Sequence, residues 1–269
     1  MLRGLKIVVL VKQVPDIEKV RFDYEKGRLD RSSAGAVINP FDLNALEAAA
    51  QIKEKIGGVV IVVSMGPEQA KEALRDALAR GADEAVLLSD LRFAGADTLA
   101  TSYALSCAVR KIGGFDLVVC GEKTIDGDTA QVGPEVAEFL GVPHVAYVDE
   151  ILDVNVAEIT IKSQLDKSSY VVKMRFPGLI TVTKDVNVPR LPMLKDKLRS
   201  RKDEITVWNA DDLADVAKEQ LFGFNGSPTW VAKVFAPSAG KRKSQFVEGT
   251  AEEKARKVAK ILVELRASR

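Results

Sequence analysis

The sequence predicts an α/β protein built on a doubly wound, mostly parallel sheet, and three observations support this fold class. Short apolar runs without polar interruptions recur through the first 120 residues, as is typical of strands buried on both faces. Amphipathic segments of helical length separate these runs, so strands and helices alternate. From about residue 145 onward the strands are shorter and lack long helices between them, which indicates an antiparallel continuation of the sheet.

The elements of the alternating part follow from apolar runs and from residues that start helices. Strands are predicted at residues 6–11, 59–64, 85–88 and 116–120. The intervening helices are predicted to begin at residues that cap or open helices, namely Asn39 or Asp42, Pro67, and Asp97 or Thr98. A fourth helix is expected after the last of these strands, with Thr129 to Val132 in its first turn. The later strands are predicted at residues 158–163, 170–174 and 179–183.

The composition changes after residue 188, which predicts two domains, residues 1–188 and 189–269. Basic residues mixed with acids follow Pro192, and residues 223–243 contain glycines and prolines that favour irregular structure. Helical periodicity returns only over residues 250–266, where the apolar face consists of Val258, Ile261, Leu262 and Leu265. We therefore predict an extended C-terminal arm that ends in a helix and is ordered by packing on a partner subunit.

Charge and hydropathy argue against several classes of function. The chain has 39 basic and 38 acidic side chains and a net charge of +1, so it lacks the general attraction that nucleic acid or an anionic membrane requires. Its apolar runs are far shorter than the roughly 20 residues that span a bilayer, and no membrane insertion is expected. The N-terminal residues lack the apolar core of a secretory signal, so the expected location is the cytoplasm.

Nucleophilic and metal chemistry find little support in the sequence. Cys107 and Cys120 lack a CxxC spacing and a neighbouring histidine, which predicts small buried side chains instead of metal ligands. His144 is the single histidine, which argues against a Ser-His-Asp triad or a His-rich metal centre and leaves a lone general base as the alternative to the expected position in a loop or at a strand edge. We predict no catalytic side chain in this protein.

The segment Gly121–Pro134 is the most informative part of the sequence for function. It follows a buried strand and runs into a helix, so backbone N–H groups at the helix start, with the Thr129 hydroxyl and the Gln131 amide, suit a phosphate or pyrophosphate. Asp126 and Asp128 are expected to cap the helix or to bond ribose hydroxyls. A polar loop with an aspartate cap explains the same residues equally well from spacing alone.

The common nucleotide-binding motifs are missing from this sequence. The sequence has no GxGxxG after its first strand and no GxxxxGK[ST], so the usual dinucleotide fingerprint and the P-loop are missing and NTP hydrolysis is poorly supported. The tetrad Asn39–Asp42 is suited to place an amide and an aromatic ring beside a base. The same tetrad is also typical of a helix N-terminus.

Five segments, taken in order, resemble the β subunits of electron-transfer flavoproteins, and the likeness runs over nearly the whole chain. They are Val9–Pro15, Asn39–Asp42, Ser64–Pro67, Ala79–Asp83 and Gly121–Pro134. The resemblance implies a sheet domain of the adenine-nucleotide-hydrolase-like type. It also implies a heterodimer in which the partner α subunit carries an electron-transferring FAD.

The resemblance identifies nucleotide-binding positions. They are Leu10, Asn39, Pro40, Phe41, Asp42, Met65, Gly121, Glu122, Lys123, Thr124, Ile125, Asp126, Gly127, Asp128, Thr129, Ala130, Gln131 and Val132. In one branch of the family the nucleotide is AMP, and in the electron-bifurcating branch it is a second FAD. Residues 94–101, with Asp97, Thr98 and Thr101, resemble the bifurcating branch, as do residues 126–134 and 226–229, so FAD is the predicted cofactor and AMP the alternative.

The resemblance further implies a reaction and partners. Hydride from NADH would reach FAD on this chain, and its two electrons would part, one to the α-subunit FAD and an acyl-CoA dehydrogenase, the other to ferredoxin or flavodoxin. Residues 189–194 resemble the loop with which the family grips acyl-CoA dehydrogenases, and Leu194 matches its anchoring leucine. The alternative is a subunit that binds structural AMP and scaffolds the α-subunit FAD. An ATP-dependent enzyme acting alone is disfavoured because no phosphate-metal motif is present.

Overall fold

The computed structural model describes residues 4–16, 21–23, 28–30, 35–232 and 246–267. The strands are β1 (Leu5–Leu10), β2 (Gln13–Pro15), β3 (Arg21–Asp23), β4 (Arg28–Asp30), β5 (Ala36–Ile38), β6 (Gly58–Met65), β7 (Glu84–Leu88), β8 (Leu117–Gly121), β9 (His144–Val154), β10 (Glu158–Leu165), β11 (Ser168–Arg175), β12 (Gly178–Val182) and β13 (Thr206–Trp208). The helices are α1 (Pro40–Ile56), α2 (Lys71–Ala79), α3 (Thr98–Ile112), α4 (Val132–Leu140), α5 (Leu194–Ser200), α6 (Gly223–Gly226) and α7 (Ala251–Ala267).

Within the described residues, nine strands form one sheet in the order β11-β10-β9-β12-β8-β1-β6-β7-β13. Neighbouring strands from β9 across to β13 are parallel, whereas β10 is antiparallel to both β9 and β11. The chain winds from β1 outward to β6 and β7 and then returns to β8 on the other side of β1. This order confirms the doubly wound, mostly parallel α/β fold and creates a switch point between β1 and β8.

The core covers both faces of the central strands. Strand β1 shows the division, because Ile7 and Val9 belong to one apolar cluster and Val8 and Leu10 to the other. The first cluster includes side chains of α1 and α2, and the second includes side chains of α3 and α4. Helices therefore cover the sheet on both sides, as the uninterrupted apolar strands require.

One of the later strands differs from the prediction. The strand predicted at residues 179–183 is β12, which lies between β8 and β9 and runs parallel to both. All of its residues are buried, so its Gly-Leu-Ile-Thr-Val sequence is that of a central strand with both faces covered. The antiparallel continuation is confirmed for β9, β10 and β11.

The fourth helix begins later than predicted. Helix α4 starts at Val132, so Thr129 precedes the helix instead of lying in its first turn. The backbone explains this difference, because Asp128 and Ala130 have φ angles of 52° and 56°, outside the right-handed helical region.

After residue 188 the chain adds short elements to the sheet domain. Strand β13 pairs in parallel with β7, and α5 packs against α2. Leu213 and Phe222 are 0% and 2% exposed, so the chain between β13 and α6 contributes to the core. The chain divides into two compact units, Met1–Trp230 and Val231–Arg269. The domain boundary at residue 188 and the packing of the later chain on a partner stay predictions.

The second unit contains α7, which confirms the predicted terminal helix. Of its predicted apolar face, Val258 and Leu262 are exposed. Part of the segment predicted to be irregular, residues 233–243, lies outside the described residues. In the described ranges, every helix is too short or too polar to cross a bilayer.

Substitution of Phe222 tests whether the chain after residue 188 contributes to the stability of the core. Its ring centroid lies 4.9 Å from that of Phe93 and 5.7 Å from that of Tyr103. We expect Phe222→Ala to lower the free energy of unfolding by about 3–5 kcal/mol, because it leaves a cavity. The matched control, Phe224→Ala, removes a ring that is 63% exposed and should have a far smaller effect. Urea denaturation measures both variants, and equal losses would contradict the assignment of Phe222 to the core.

Candidate functional site

A single buried side chain, Asp42 of α1, connects the two strand ends at the switch point. Its Oδ2 accepts a hydrogen bond at 2.8 Å from the backbone N–H of Lys12, just beyond β1. Its Oδ1 accepts one at 3.1 Å from the N–H of Gly121, the last residue of β8. The residue is 4% exposed. The carboxylate therefore holds together the ends of β1 and β8, where ligands bind in this class of fold.

Asn39 fastens the loop that follows β8. Its side chain is fully buried, with Nδ2 donating to the carbonyl of Lys123 at 2.9 Å and Oδ1 accepting from the N–H of Ile125 at 3.1 Å. Asn39 occupies the N-cap position of α1, and in the described structure its side chain makes no capping hydrogen bond to a backbone N–H of that helix. The helix-cap interpretation is therefore wrong for this amide, which serves the loop, while Pro40 opens the helix.

Burial governs the ionisation of Asp42. Removal from water disfavours the charged carboxylate and raises the pKa of Asp42 to about 7, although hydrogen bonds from Lys12, Asn39 and Gly121 act in the opposite direction. Burial also raises the pKa of the neighbouring Cys120 thiol, which therefore stays protonated.

Two glycines allow close packing around the crevice. A Cβ on Gly121 would lie 2.5 Å from Oδ1 of Asp42 and 2.6 Å from Cβ of Phe41. A Cβ on Gly133 would lie 2.5 Å from Cγ2 of Thr181, so this glycine lets the first turn of α4 approach the sheet. Close approach, and not a positive φ, requires glycine at both positions.

The two loop aspartates pair with lysines. Lys12 Nζ lies 2.7 Å from Oδ2 of Asp126, and Lys123 Nζ lies 2.7 Å from Oδ1 of Asp128. Lys123 Nζ also lies 5.9 Å from the centroid of the Phe41 ring. Neither aspartate caps α4, which corrects that prediction: the N-cap position belongs to a later residue. Pairing with cations reduces the repulsion that two free carboxylates would exert on a phosphate.

Backbone strain marks the end of the same loop. Asp128 and Ala130 both have positive φ, a conformation that is uncommon for residues with a side chain and clusters at functional sites. Thr129 and Gln131 are exposed immediately before α4. The hydroxyl, the amide and the first N–H groups of the helix fit an anionic phosphate, because each offers a hydrogen-bond donor.

The segments that favoured FAD in the sequence are connected in the structure. Asp97 caps α3, and its carboxylate also accepts a hydrogen bond from the Thr229 hydroxyl at 2.8 Å. The Thr98 hydroxyl lies 3.2 Å from Oε1 of Gln131. Thr101 lies one turn further along α3 and is half-buried. These contacts join the start of α3, the start of α4 and the segment before Trp230 into one polar cluster.

The ends of β1 and β6 supply apolar side chains. Leu10 is 5% exposed, and Met65, the last residue of β6, is half-buried. Ser64 is fully buried, and its hydroxyl has no hydrogen-bond partner in the described part of the chain. An unpaired buried hydroxyl costs free energy, which makes Ser64 a candidate site residue at the end of β6, and its side chain points to the face opposite that of Met65.

The structure brings most of the predicted site residues together and adds two that sequence reasoning missed. Leu10, the tetrad Asn39–Asp42 and the loop 121–132 meet at the switch point, whereas Leu194 begins α5 on another part of the sheet domain. Lys12 had one sequence signal, since it directly follows the first apolar run. Ser64 had none, because its segment has the pattern of an ordinary strand-to-helix turn.

The remaining sequence expectations concern metal and nucleophile chemistry. Cys107 and Cys120 are buried, as predicted, and His144 is exposed at the first residue of β9. Among the described residues, no group of three or more His, Cys, Asp or Glu side chains is placed to hold a metal ion.

Comparison with known proteins places these observations in one family. Residues 26–213 match the electron transfer flavoprotein domain. The electron transfer flavoprotein subunit beta of Thermoanaerobacterium thermosaccharolyticum is 45% identical over 250 residues, which cover 93% of this chain and 94% of that protein. The subunit of the same name from Clostridium acetobutylicum is 48% identical over 85% of this chain and 87% of its own length. Protein FixA of Azotobacter vinelandii is 43% identical over 90% of this chain and 87% of its own length.

The close packing at Gly121 can be tested with a pair of glycine variants. Gly121→Ala should lower the free energy of unfolding by about 1–3 kcal/mol, because its Cβ meets the carboxylate of Asp42 and the backbone of α1. Gly127→Ala is the matched control in the same loop, since its Cβ would lie 3.4 Å from Oγ1 of Thr124, an ordinary contact. Denaturant unfolding compares the two, and a similar effect at both positions would contradict the close approach at Gly121.

The raised pKa of Asp42 predicts a pH dependence of stability. Because the pKa rises from 3.8 to about 7 on folding, the folded state holds an extra proton between these values. The stabilisation linked to this proton is complete below about pH 4 and is lost as the pH rises through about 7. We expect the free energy of unfolding of the wild type, minus that of Asp42→Asn, to fall by about 1 kcal/mol per pH unit over this range.

Urea denaturation of both proteins at a series of pH values measures this difference. The subtraction removes the titration of groups that the two proteins share. A difference that stays constant or rises with pH would mean that the hydrogen bonds to Asp42 outweigh its burial.

Proposed function

This chain belongs to the electron transfer flavoprotein family, as its motifs indicated, and we propose that it is the β subunit of an electron-bifurcating heterodimer. In this proposal FAD binds in the crevice at the ends of β1 and β8. FAD bound there would supply hydride acceptance from NADH and one-electron transfer along two routes. One route would lead through the FAD of the α subunit to an acyl-CoA dehydrogenase, and the other to ferredoxin or flavodoxin.

The observation that carries the proposal is the polar cluster at the starts of α3 and α4. Thr98 and Thr101 offer hydroxyl groups beside the phosphate-suited loop, and the Thr98 hydroxyl lies within hydrogen-bond distance of the Gln131 amide. AMP has no counterpart to the polar edge of an isoalloxazine, which needs such groups. Asp97 and Thr229 support the cluster by fixing the segment before Trp230 against α3.

The residues of this chain have separate parts in such a site. Asn39 and Asp42 hold the loop and the strand ends in place through bonds to backbone. Gly121 lets the loop backbone pass close to α1. Thr129, Gln131 and the first N–H groups of α4 would hold the phosphates. Phe41 is available to contact a ring of the nucleotide. No side chain of this chain is required as a nucleophile.

Two exposed apolar features support the proposed partners. Leu194 is 74% exposed, as suits an anchor for an acyl-CoA dehydrogenase. On α7, Val258, Leu262 and Val263 are 45%, 61% and 68% exposed, so this helix offers an apolar face to the α subunit.

The second candidate is a subunit that binds structural AMP and scaffolds the α-subunit FAD. One observation favours it: the phosphate-suited loop leads into a single helix start, that of α4, which suits one phosphate as well as two. In that case the hydroxyls on α3 would have only a structural part.

Nucleotide content separates the two candidates. We expect the heterodimer, purified with its α subunit and extracted with acid, to yield two FAD and little AMP. NADH should then reduce flavin in the purified heterodimer. One FAD with one AMP would establish the alternative, and an absence of both nucleotides from this chain would overturn the assignment of the crevice.

Two threonine variants test whether FAD is bound at the start of α3. Thr98→Val removes a hydroxyl from the polar cluster and should lower the FAD retained by this chain while the α-subunit FAD stays bound. Thr206→Val is the matched control, because Thr206 is exposed on β13. Equal FAD content in both variants would contradict a flavin at the start of α3.

A further inference from the structure

The segment between β12 and α5 turns two polar side chains, those of Asn187 and Arg190, toward α1 and exposes several apolar ones. Val188, Leu191 and Met193 are 87%, 84% and 63% exposed, and Leu194 at the start of α5 is 74% exposed. Arg190, in the middle of this apolar set, points the other way and is bound to α1. Monomeric proteins seldom expose a continuous apolar run, so this one has the character of an interaction surface.

Arg190 is held by two carboxylates of α1. Its Nε donates to Oε2 of Glu47 at 2.7 Å, and its Nη2 donates to Oε1 of the same residue at 3.1 Å. Its Nη1 donates to Oε1 of Glu54 at 2.6 Å. The side chain of Glu47 is only 6% exposed. A bidentate pair with a buried carboxylate fixes the position of the guanidinium more closely than a surface ion pair does.

Further bonds hold the backbone around Arg190. Its N–H donates to Oε2 of Glu47 at 3.1 Å, and its carbonyl accepts from Nη1 of Arg80 at 2.7 Å. Three residues earlier, Asn187 and Asn44 of α1 exchange hydrogen bonds, each amide donating to the other's backbone carbonyl at 3.0 Å. A segment without helix or strand is thus fixed to α1 by side chains.

The charge around the exposed run is strongly positive. Apart from Arg190, which is paired with α1, residues 191–202 contain five basic side chains, Lys195, Lys197, Arg199, Arg201 and Lys202, and one acidic side chain, Asp196, which pairs with Arg199. An apolar surface with this rim is complementary to a protein that presents an apolar pocket bordered by carboxylates. Such a protein is the occupant expected for this surface.

We propose that the Arg190–Glu47 pair is a positioning latch that presents Leu191, Met193 and Leu194 to the acyl-CoA dehydrogenase. This inference rests on the proposed function, which supplies that partner. Ordering the run before docking reduces the conformational entropy lost in the complex. Arg190 and Glu47 act through the neighbouring apolar residues, and neither is assigned a contact with the dehydrogenase.

The test uses the flavin-loaded heterodimer and steady-state electron transfer to the dehydrogenase. Arg190→Gln should raise the KM for the dehydrogenase about tenfold, the loss expected when one or two side chains must be reordered on docking. The kcat at saturating dehydrogenase and the bound-nucleotide content should stay unchanged, because the latch lies outside the crevice. The double variant Glu47→Gln with Arg190→Gln should behave in the same way, and it leaves no unpaired carboxylate at position 47 if the single variant folds poorly.

Two controls separate the latch from the surface. Arg92→Gln removes another guanidinium that bridges carboxylates, those of Asp90 and Asp211, and should leave the KM unchanged. Leu194→Ala removes an exposed member of the run itself and should raise the KM.

The possible outcomes are distinct. A raised KM for both latch variants, with unchanged kcat and nucleotide content, supports the latch. A wild-type KM for both latch variants with a raised KM for Leu194→Ala overturns the latch and leaves the docking surface intact. A wild-type KM for all three shows that the dehydrogenase does not use this surface, which overturns that part of the proposed function. Loss of kcat or of nucleotide in both latch variants overturns a purely positioning role.

Discussion

The buried carboxylate of Asp42 is the contact on which the candidate site depends. In a doubly wound sheet the two strands at the switch point send their following segments in different directions, which leaves backbone N–H groups unpaired by the sheet. Asp42 accepts from one such group on each side, at Lys12 and at Gly121. An apolar residue here would leave both N–H groups without this partner, and a larger residue at position 121 would collide with the carboxylate. The shape of the crevice therefore follows from one acid and one glycine.

Other buried polar side chains of α1 also bond to distant segments of the chain, as Asp42 does. Three polar positions of the helix and its N-cap residue are buried, which is costly unless every polar group finds a partner. Asn39 binds the loop after β8, Asp42 the strand ends, Asn44 the backbone at Asn187, and Glu47 the guanidinium of Arg190. Three of these four partners lie in segments without regular structure. Side chains of α1 and its N-cap thus supply the hydrogen bonds that irregular segments lack. They do so both at the crevice and at the exposed apolar run.

Local signals in the sequence were enough to predict the alternating strands and helices and the segments that meet at the switch point. The departures arise where the outcome depends on distant chain. Strand β12 has the apolar run of a buried strand, but its direction is fixed by where the chain returns between β8 and β9. The start of α4 depends on the positive φ of Ala130, and alanine in a sequence does not indicate a positive φ as glycine does. The bond between Asp42 and Gly121 joins residues 79 positions apart, so no spacing rule points to it.

The polar side chains at the crevice differ in whether they are free to contact a nucleotide. Asn39 and Asp42 direct their side-chain atoms to the protein's own backbone, so in the proposed site they would shape the crevice alike for AMP and for FAD. Discrimination requires polar groups that remain accessible or unpaired. In the proposed site these groups are the hydroxyls of Thr98 and Thr101 at the start of α3, because both residues are half-buried and neither is assigned to a phosphate. In the proposed site, the residues that fix the loop and the strand ends are therefore distinct from those that would distinguish one nucleotide from the other.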